Sequence, residues 1–144
     1  MKIIISDLKI KHIDDLINLW KEAELPIRPN GRDTEENLKK QIREPNNFFL
    51  KATVNKEIVG VLIASHNKRK GWINRLAVLP RFRHRGIAAK LIAEAEKRLE
   101  AAGIFIIACL IEDWNDASKK LFKKNEYKFH KDIYYFTKRL KEDV

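Results

Sequence analysis

A chain of 144 residues, 44% hydrophobic and 35% charged, has the size and composition of one soluble domain around one core. No apolar run approaches the ~20 residues of a membrane span, and Met1-Lys-Ile-Ile-Ile-Ser lacks the layout of a signal peptide, so a cytoplasmic location is expected. The formal net charge of +10 points to an anionic partner, a phosphorylated cofactor, nucleic acid or an acidic protein, with a solvated lysine-rich surface as the alternative. The single Cys109 excludes an internal disulfide; set in the apolar run Ile104–Ile111, it reads as a buried structural thiol rather than a nucleophile.

Lys2–Asp7 is a short Ile-rich strand. Ile10, Ile13, Leu16, Ile17 and Trp20 recur at helical spacing and predict an amphipathic helix over Lys9–Ala23. Pro26, Pro29, Asn30 and Gly31 break it, and Asp33 or Thr34 can cap a second helix that runs to about Arg43. Phe48–Val54 and Ile58–His66 are strands joined by a tight hairpin at Asn55-Lys56, and Trp72–Val78 is the third strand of the meander. A helix over Ala88–Ala102 stops at Gly103, and Ile104–Ile111 reads as a strand buried on both faces. A further helix, Asp116–Lys124, precedes two strands, Tyr127–Asp132 and Ile133–Arg139. The order β-α-α-β-β-β-α-β-α-β-β predicts an α/β (α+β) fold. Its sheet is mixed and mostly antiparallel, with six to seven strands, about four helices, and parallel pairing between Trp72–Val78 and Ile104–Ile111.

One stretch carries chemistry. The strand ending at Val78 breaks at Pro80, crosses a loop bearing Arg81, Arg83, His84 and Arg85, turns at Gly86 and enters a helix. Free amides and the positive end of the helix dipole face such a loop, and the arginines add formal charge, so it is built to hold phosphates.

Arg83-His84-Arg85-Gly86-Ile87-Ala88 matches the pattern Arg/Gln-x-x-Gly-x-Gly/Ala, preceded by Val78-Leu79-Pro80. Asn115-x-Ala117-x-x-x-Leu121-Phe122-x-x-x-x-Tyr127 follows downstream. On these residues and the element order, the sequence resembles the GCN5-related N-acetyltransferase (GNAT) superfamily along nearly its whole length. The Gly31-Arg-Asp-Thr region looks like a small bacterial and archaeal branch of it. The resemblance implies a single N-acetyltransferase domain over residues 1–144, with the sheet splayed at its parallel strands. It implies acetyl-coenzyme A as cosubstrate, no metal, and direct transfer of acetyl to a primary amine of a small molecule, peptide or protein. By the same resemblance, backbone groups of Leu76 and Val78 hold the pantetheine arm, and the N–H of Leu76 or Ala77 meets the thioester oxyanion. Residues Arg83, His84, Arg85, Gly86, Ile87 and Ala88 take the pyrophosphate, Asn115 and Phe122 flank the arm, and Lys124 is a candidate for the 3′-phosphate.

The chain departs from the family where many members carry a tyrosine to protonate the leaving thiolate: that position is Phe122, which has no proton to give. Tyr134 and Tyr135 are the unplaced substitutes. Glu112, at the end of the Ile104–Ile111 strand, is the candidate base. Acceptor choice is expected from the first two helices and their loop, Leu25–Thr34, and from the hairpin Tyr127–Phe136. Glu22, Glu24, Asp33, Glu35 and Glu36 there form an acidic group that would attract a cationic amine. Two other readings stand beside the enzyme. One is an acetyl-coenzyme A-binding sensor or partner subunit with weak catalysis. The other is a basic nucleic-acid-associated protein, disfavoured because the basic residues are not interleaved with exposed aromatics. The aromatic hairpin Tyr127–Arg139 is a candidate homodimer surface.

Overall fold

The computed structural model describes residues 1–144. Its single sheet has five strands in chain order: β1 (Ile4–Asp7), β2 (Asn47–Val54), β3 (Glu57–His66), β4 (Gly71–Val78) and β5 (Ile107–Cys109). The first three pairings are antiparallel and the last, β4 with β5, is parallel. Helices α1 (Ile13–Glu22), α2 (Glu35–Arg43), α3 (Ile87–Ala101) and α4 (Asp116–Lys124) complete the mixed α/β fold.

The apolar periodicity of the sequence accounts for the core. Helix α1 buries Ile13, Leu16, Leu19 and Trp20, and α3 buries Ile87, Leu91, Ile92, Ala95 and Leu99 against the strands. Each buried leucine or isoleucine contributes roughly 2 kcal/mol of transfer free energy. Helix α3 sits close on the sheet because position 60 has no side chain: a Cβ there would lie 3.0 Å from Ile87 Cγ2. Gly60 pairs with Val78, so strand alternation turns Arg75 to the opposite face, where Trp20 of α1 lies.

Several expectations hold. The hairpin turns at Asn55-Lys56 with both residues left-handed (φ 49° and 67°), the geometry of a type I′ turn. Thr34 is the N-cap of α2, accepting from the Asn37 N–H at 3.1 Å, and Asn115 caps α4. Others need correction. The expected Lys9–Ala23 helix begins as a 3-10 turn at Ile10–His12, because the His12 side chain accepts from the Lys9 N–H at 2.9 Å and holds the entry tight. The strand expected over Ile104–Ile111 is only Ile107–Cys109, and Phe105, Ile106 and Leu110 are exposed. The strands expected at Tyr127–Asp132 and Ile133–Arg139 do not form, and the sheet has five strands rather than six to seven. Aromatic and β-branched residues favour a strand only where a half-buried pleated surface receives them. The three-residue β5 supplies little of one, so Phe129, Tyr134, Tyr135 and Phe136 stay exposed.

Candidate functional site

The site is built where β4 and β5 part. Their ladder covers only Gly71–Ile73 and Ile107–Cys109. Immediately beyond it the β3–β4 register slips, with Ala64 facing Ile73 and Ile63 facing Arg75, which leaves Asn74 as a bulge residue. Past the bulge β4 is paired on one edge only. The Leu79 N–H donates to the Val59 carbonyl at 2.9 Å, so Ala77 and Arg75 also turn their peptide groups toward β3. The peptide groups of Leu76 and Val78 therefore face the open edge. Ala77, expected to share the oxyanion role, offers its N–H to β3 instead.

The loop after β4 has the anion-cradle geometry anticipated for it. A 3-10 turn at Pro80–Phe82 leads to His84 at φ 62° and Gly86 at φ 79°, and α3 starts at Ile87. The N–H groups of His84, Arg85, Gly86, Ile87, Ala88 and Ala89 find no acceptor in the protein; the helix ladder opens with the Lys90 N–H on the Gly86 carbonyl at 3.1 Å. Such a run of amides at a helix start is an anion site. A Cβ at position 86 would meet nothing within 4 Å, so glycine is required by the left-handed backbone, and the space beside it is open. Arg83 reaches back to the strand, donating from Nε to the Val78 carbonyl at 3.2 Å. Arg85 lies over the Phe82 ring at 5.4 Å, and neither guanidinium has a carboxylate partner. Arg81 belongs to a different group: it pairs with Glu22 and Glu57.

The remaining expected residues lie after β5, in the connection to α4 and in α4 itself. Asn115 accepts from the Ser118 N–H at 3.1 Å. Phe122 is buried, edge-on to Tyr127 with ring centroids 5.0 Å apart, and Lys124 is exposed. Glu112 is exposed; its carbonyl accepts from the Asn115 N–H, and its carboxylate has no partner. No hydrogen bond or ion pair joins these residues to the Arg83–Ala88 loop. Tyr127, which donates to Glu96 at 2.8 Å, has its pKa raised by burial and then by that carboxylate. Cys109, expected to be buried, is half-buried; the partial burial pushes its thiol up to about 11, so it is protonated at neutral pH. A depression of about 600 Å³ between β1, α2 and Arg98 contains none of these residues.

Sequence reading missed a buried ion pair. Asp33, 7% exposed, accepts from Arg75 Nη2 at 3.0 Å and from the Arg28 N–H at 2.6 Å. Arg75 also donates to the Pro26 carbonyl at 2.7 Å and stacks 4.7 Å from the Trp20 ring centre. Burial lowers the Arg75 pKa, and Asp33 opposes the shift. Trp20 Nε1 is buried with no acceptor, so the indole serves through its face. Of the acidic group expected to attract an amine, Asp33 pairs with Arg75, Glu22 with Arg81, Glu35 with Lys39 and Glu36 with Lys40, while Glu24 is exposed and in no ion pair. A charged residue inside the run Trp72–Leu79, apolar apart from Asn74 and Arg75 itself, was the available signal for the buried pair.

A profile of the acetyltransferase (GNAT) family matches residues 13–127. The chain belongs to this family. Among curated GNAT relatives, an acetyltransferase of Pectobacterium atrosepticum is 36% identical over 140 residues, covering 95% of this chain and 97% of the relative. An acetyltransferase of Photorhabdus laumondii is 35% identical over 128 residues, 88% of each. In fold, this GNAT chain is similar to the PaiA N-acetyltransferase of Thermoplasma acidophilum, solved with coenzyme A. That match has a TM-score of 0.77 and 22% identity over 87% of this chain and 89% of that one. No helix of this GNAT protein is long and apolar enough to cross a membrane.

Proposed function

We propose that this GNAT protein, a single N-acetyltransferase domain, moves an acetyl group from acetyl-coenzyme A directly to a primary amine. The observation that carries the reading is the run of unengaged amides from His84 to Ala89 beside the open Leu76–Val78 edge. An extended pantetheine arm suits such an edge, since it can take the Leu76 peptide groups and the Val78 N–H that a neighbouring strand would otherwise use, the Val78 carbonyl being held by Arg83 Nε. A pyrophosphate suits the amides and the unpaired Arg83 and Arg85. The relative from Thermoplasma was solved with coenzyme A, which supports the same ligand here. Asn115 and Phe122 are assigned to the far side of the arm and Lys124 to the 3′-phosphate.

In the reaction the neutral amine attacks the thioester carbonyl, a C–N bond forms, the C–S bond breaks, and the ammonium proton passes to a base. The Leu76 N–H is the assigned oxyanion donor, because it faces the open edge while Ala77 does not. A thiolate is a tolerable leaving group without a side-chain acid, its thiol having a pKa of about 8.5. That suits a site whose candidate acid position is the buried Phe122. Transfer through an acetyl-cysteine is disfavoured, because Cys109 is held as the thiol. Glu112 is assigned as the base, acting through water.

The test is release of free coenzyme A thiol from acetyl-coenzyme A with a panel of amines: polyamines, an aminoglycoside, and lysine-bearing or free N-terminal peptides. Turnover with at least one, lost in Gly86→Asp and lowered roughly 10²-fold in Glu112→Gln, is expected. The second reading, a sensor with weak catalysis, is favoured by Phe122 and by a Glu112 carboxylate that is exposed and has no partner. It predicts binding of acetyl-coenzyme A with at most trace turnover of any amine. Absence of binding would contradict both.

A further inference from the structure

The α1–α2 loop, residues 23–34, has Leu25 and Ile27 partly buried and most of its other residues exposed. All its hydrogen bonds to the sheet come from one side chain, Arg75. The guanidinium spans two points nearly at opposite ends of the loop, the Pro26 carbonyl and the Asp33 carboxylate, with the Trp20 ring beneath it. The loop is also closed on itself: the Asp33 N–H donates to the Arg28 carbonyl at 3.0 Å, and Asp33 Oδ2 takes the Arg28 N–H. Asn37 then donates to the Gly31 carbonyl at 2.8 Å and Gln41 to the Arg32 carbonyl at 3.0 Å, tying the closed loop to α2.

The position of this anchor on the strand matters more than its strength. Arg75 is the first paired residue after the Asn74 bulge, at the point where β5 leaves β4. Its chain neighbour, Leu76, turns its peptide group to the open edge. One residue therefore references the loop and the next references whatever lies along the edge.

We propose that Asp33 and Arg75 are positioning residues for the amine acceptor, a latch that sets the α1–α2 loop at fixed distance from the acetyl donor on β4. This rests on the reading that acetyl-coenzyme A lies along Leu76–Val78. The pair touches neither donor nor acceptor in its role; it holds the wall against which the acceptor is aligned. A misplacement of about 1 Å in such a wall costs on the order of 10²-fold in rate. The loss falls on acceptor kinetics and leaves donor binding alone.

The test uses Asp33→Asn, which keeps the shape and loses the charge, and Arg75→Met, which keeps the stem and loses both donors. Glu36→Gln, in an exposed pair on α2, is the control. Amide hydrogen exchange at Arg28, Asp33 and Thr34 should accelerate about tenfold or more in both latch variants and not in the control. The acetyl-coenzyme A Kd of Asp33→Asn should stay within about twofold of the natural protein, while the KM of whichever amine the panel yields rises about tenfold or kcat/KM falls about 10²-fold. Arg75→Lys, with one ammonium for two acceptors, should restore only part of the protection. Unchanged exchange in Asp33→Asn overturns the latch, and this arm needs no amine and no turnover. Faster exchange with unchanged acceptor kinetics overturns the positioning role. Failure of the natural protein to bind acetyl-coenzyme A would instead strike the reading of the donor edge, and the exchange arm would still decide whether the loop is latched.

Discussion

Arg75 and Gly86 show how little of a residue's role follows from its type. Both lie in one basic stretch, yet Gly86 is selected by a backbone at φ 79° with open space beside it, and Arg75 by a buried acid. Asp33 was legible as a helix-start residue, because Asp-Thr before two glutamates is a capping pattern. That Thr34 would take the cap and leave Asp33 for a partner 42 positions away was not legible, since local pattern carries no information about long-range pairing. Cys109 gives a prediction at this scale. With its pKa raised by burial to about 11, its thiolate fraction at pH 8 is about a thousandth, and the reactive form grows only as the pH approaches that value. Alkylation by iodoacetamide at pH 8 should be slower than that of a free thiol by roughly 10²-fold. It should speed up about tenfold per pH unit up to pH 10. A rate equal to free cysteine would contradict the burial argument.

At the scale of elements, the local signals that proved reliable were those with a local cause. The Asn55-Lys56 hairpin, the Thr34 cap and the α3 stop at Gly103 each depend on a few adjacent residues. The failures were elements whose existence depends on a distant partner. A strand over Ile104–Ile111 requires neighbours on both edges, and it has one, over three residues. The Asn74 bulge was equally hidden, because a register slip belongs to two strands at once. The hairpin itself carries a correctable strain. Lys56 holds φ 67°, a left-handed conformation that costs a non-glycine residue about 1 kcal/mol or more. Lys56→Gly should create the favoured Asn-Gly turn and raise Tm by about 3 °C in a calorimetric scan. A lowered Tm would show that the Lys56 side chain matters more than the turn.

For the whole molecule, the architecture sets the loop of free amides and the strand edge side by side through a single crossover: β4 runs out, the loop turns, and α3 returns along the sheet. Arg83 bonded to the Val78 carbonyl ties the two halves of that site together. This half of the site was legible in the sequence because it is one contiguous segment, Arg75–Ile92. In the other half, Glu112 was chosen by its place at the end of a strand and Asn115, Phe122 and Lys124 by family pattern, and no hydrogen bond or ion pair joins this segment to the loop. The excess charge divides in the same way: Arg83 and Arg85 stay unpaired at the loop, while Arg75, Arg81 and Arg98 are spent on structural ion pairs.

The central claim, that the Leu76–Val78 edge and the His84–Ala89 amides form one coenzyme A site, is tested most directly by amide chemical-shift mapping. Coenzyme A is titrated into the labelled protein and every backbone N–H is followed. The largest shifts should fall together on Leu76, Val78 and the run from His84 to Ala89, saturating at one Kd, with Ala77 moving less than its two neighbours. Gly86→Asp should abolish them. Saturating shifts confined to other parts of the molecule, or no shifts at all with a natively folded protein, would contradict the account.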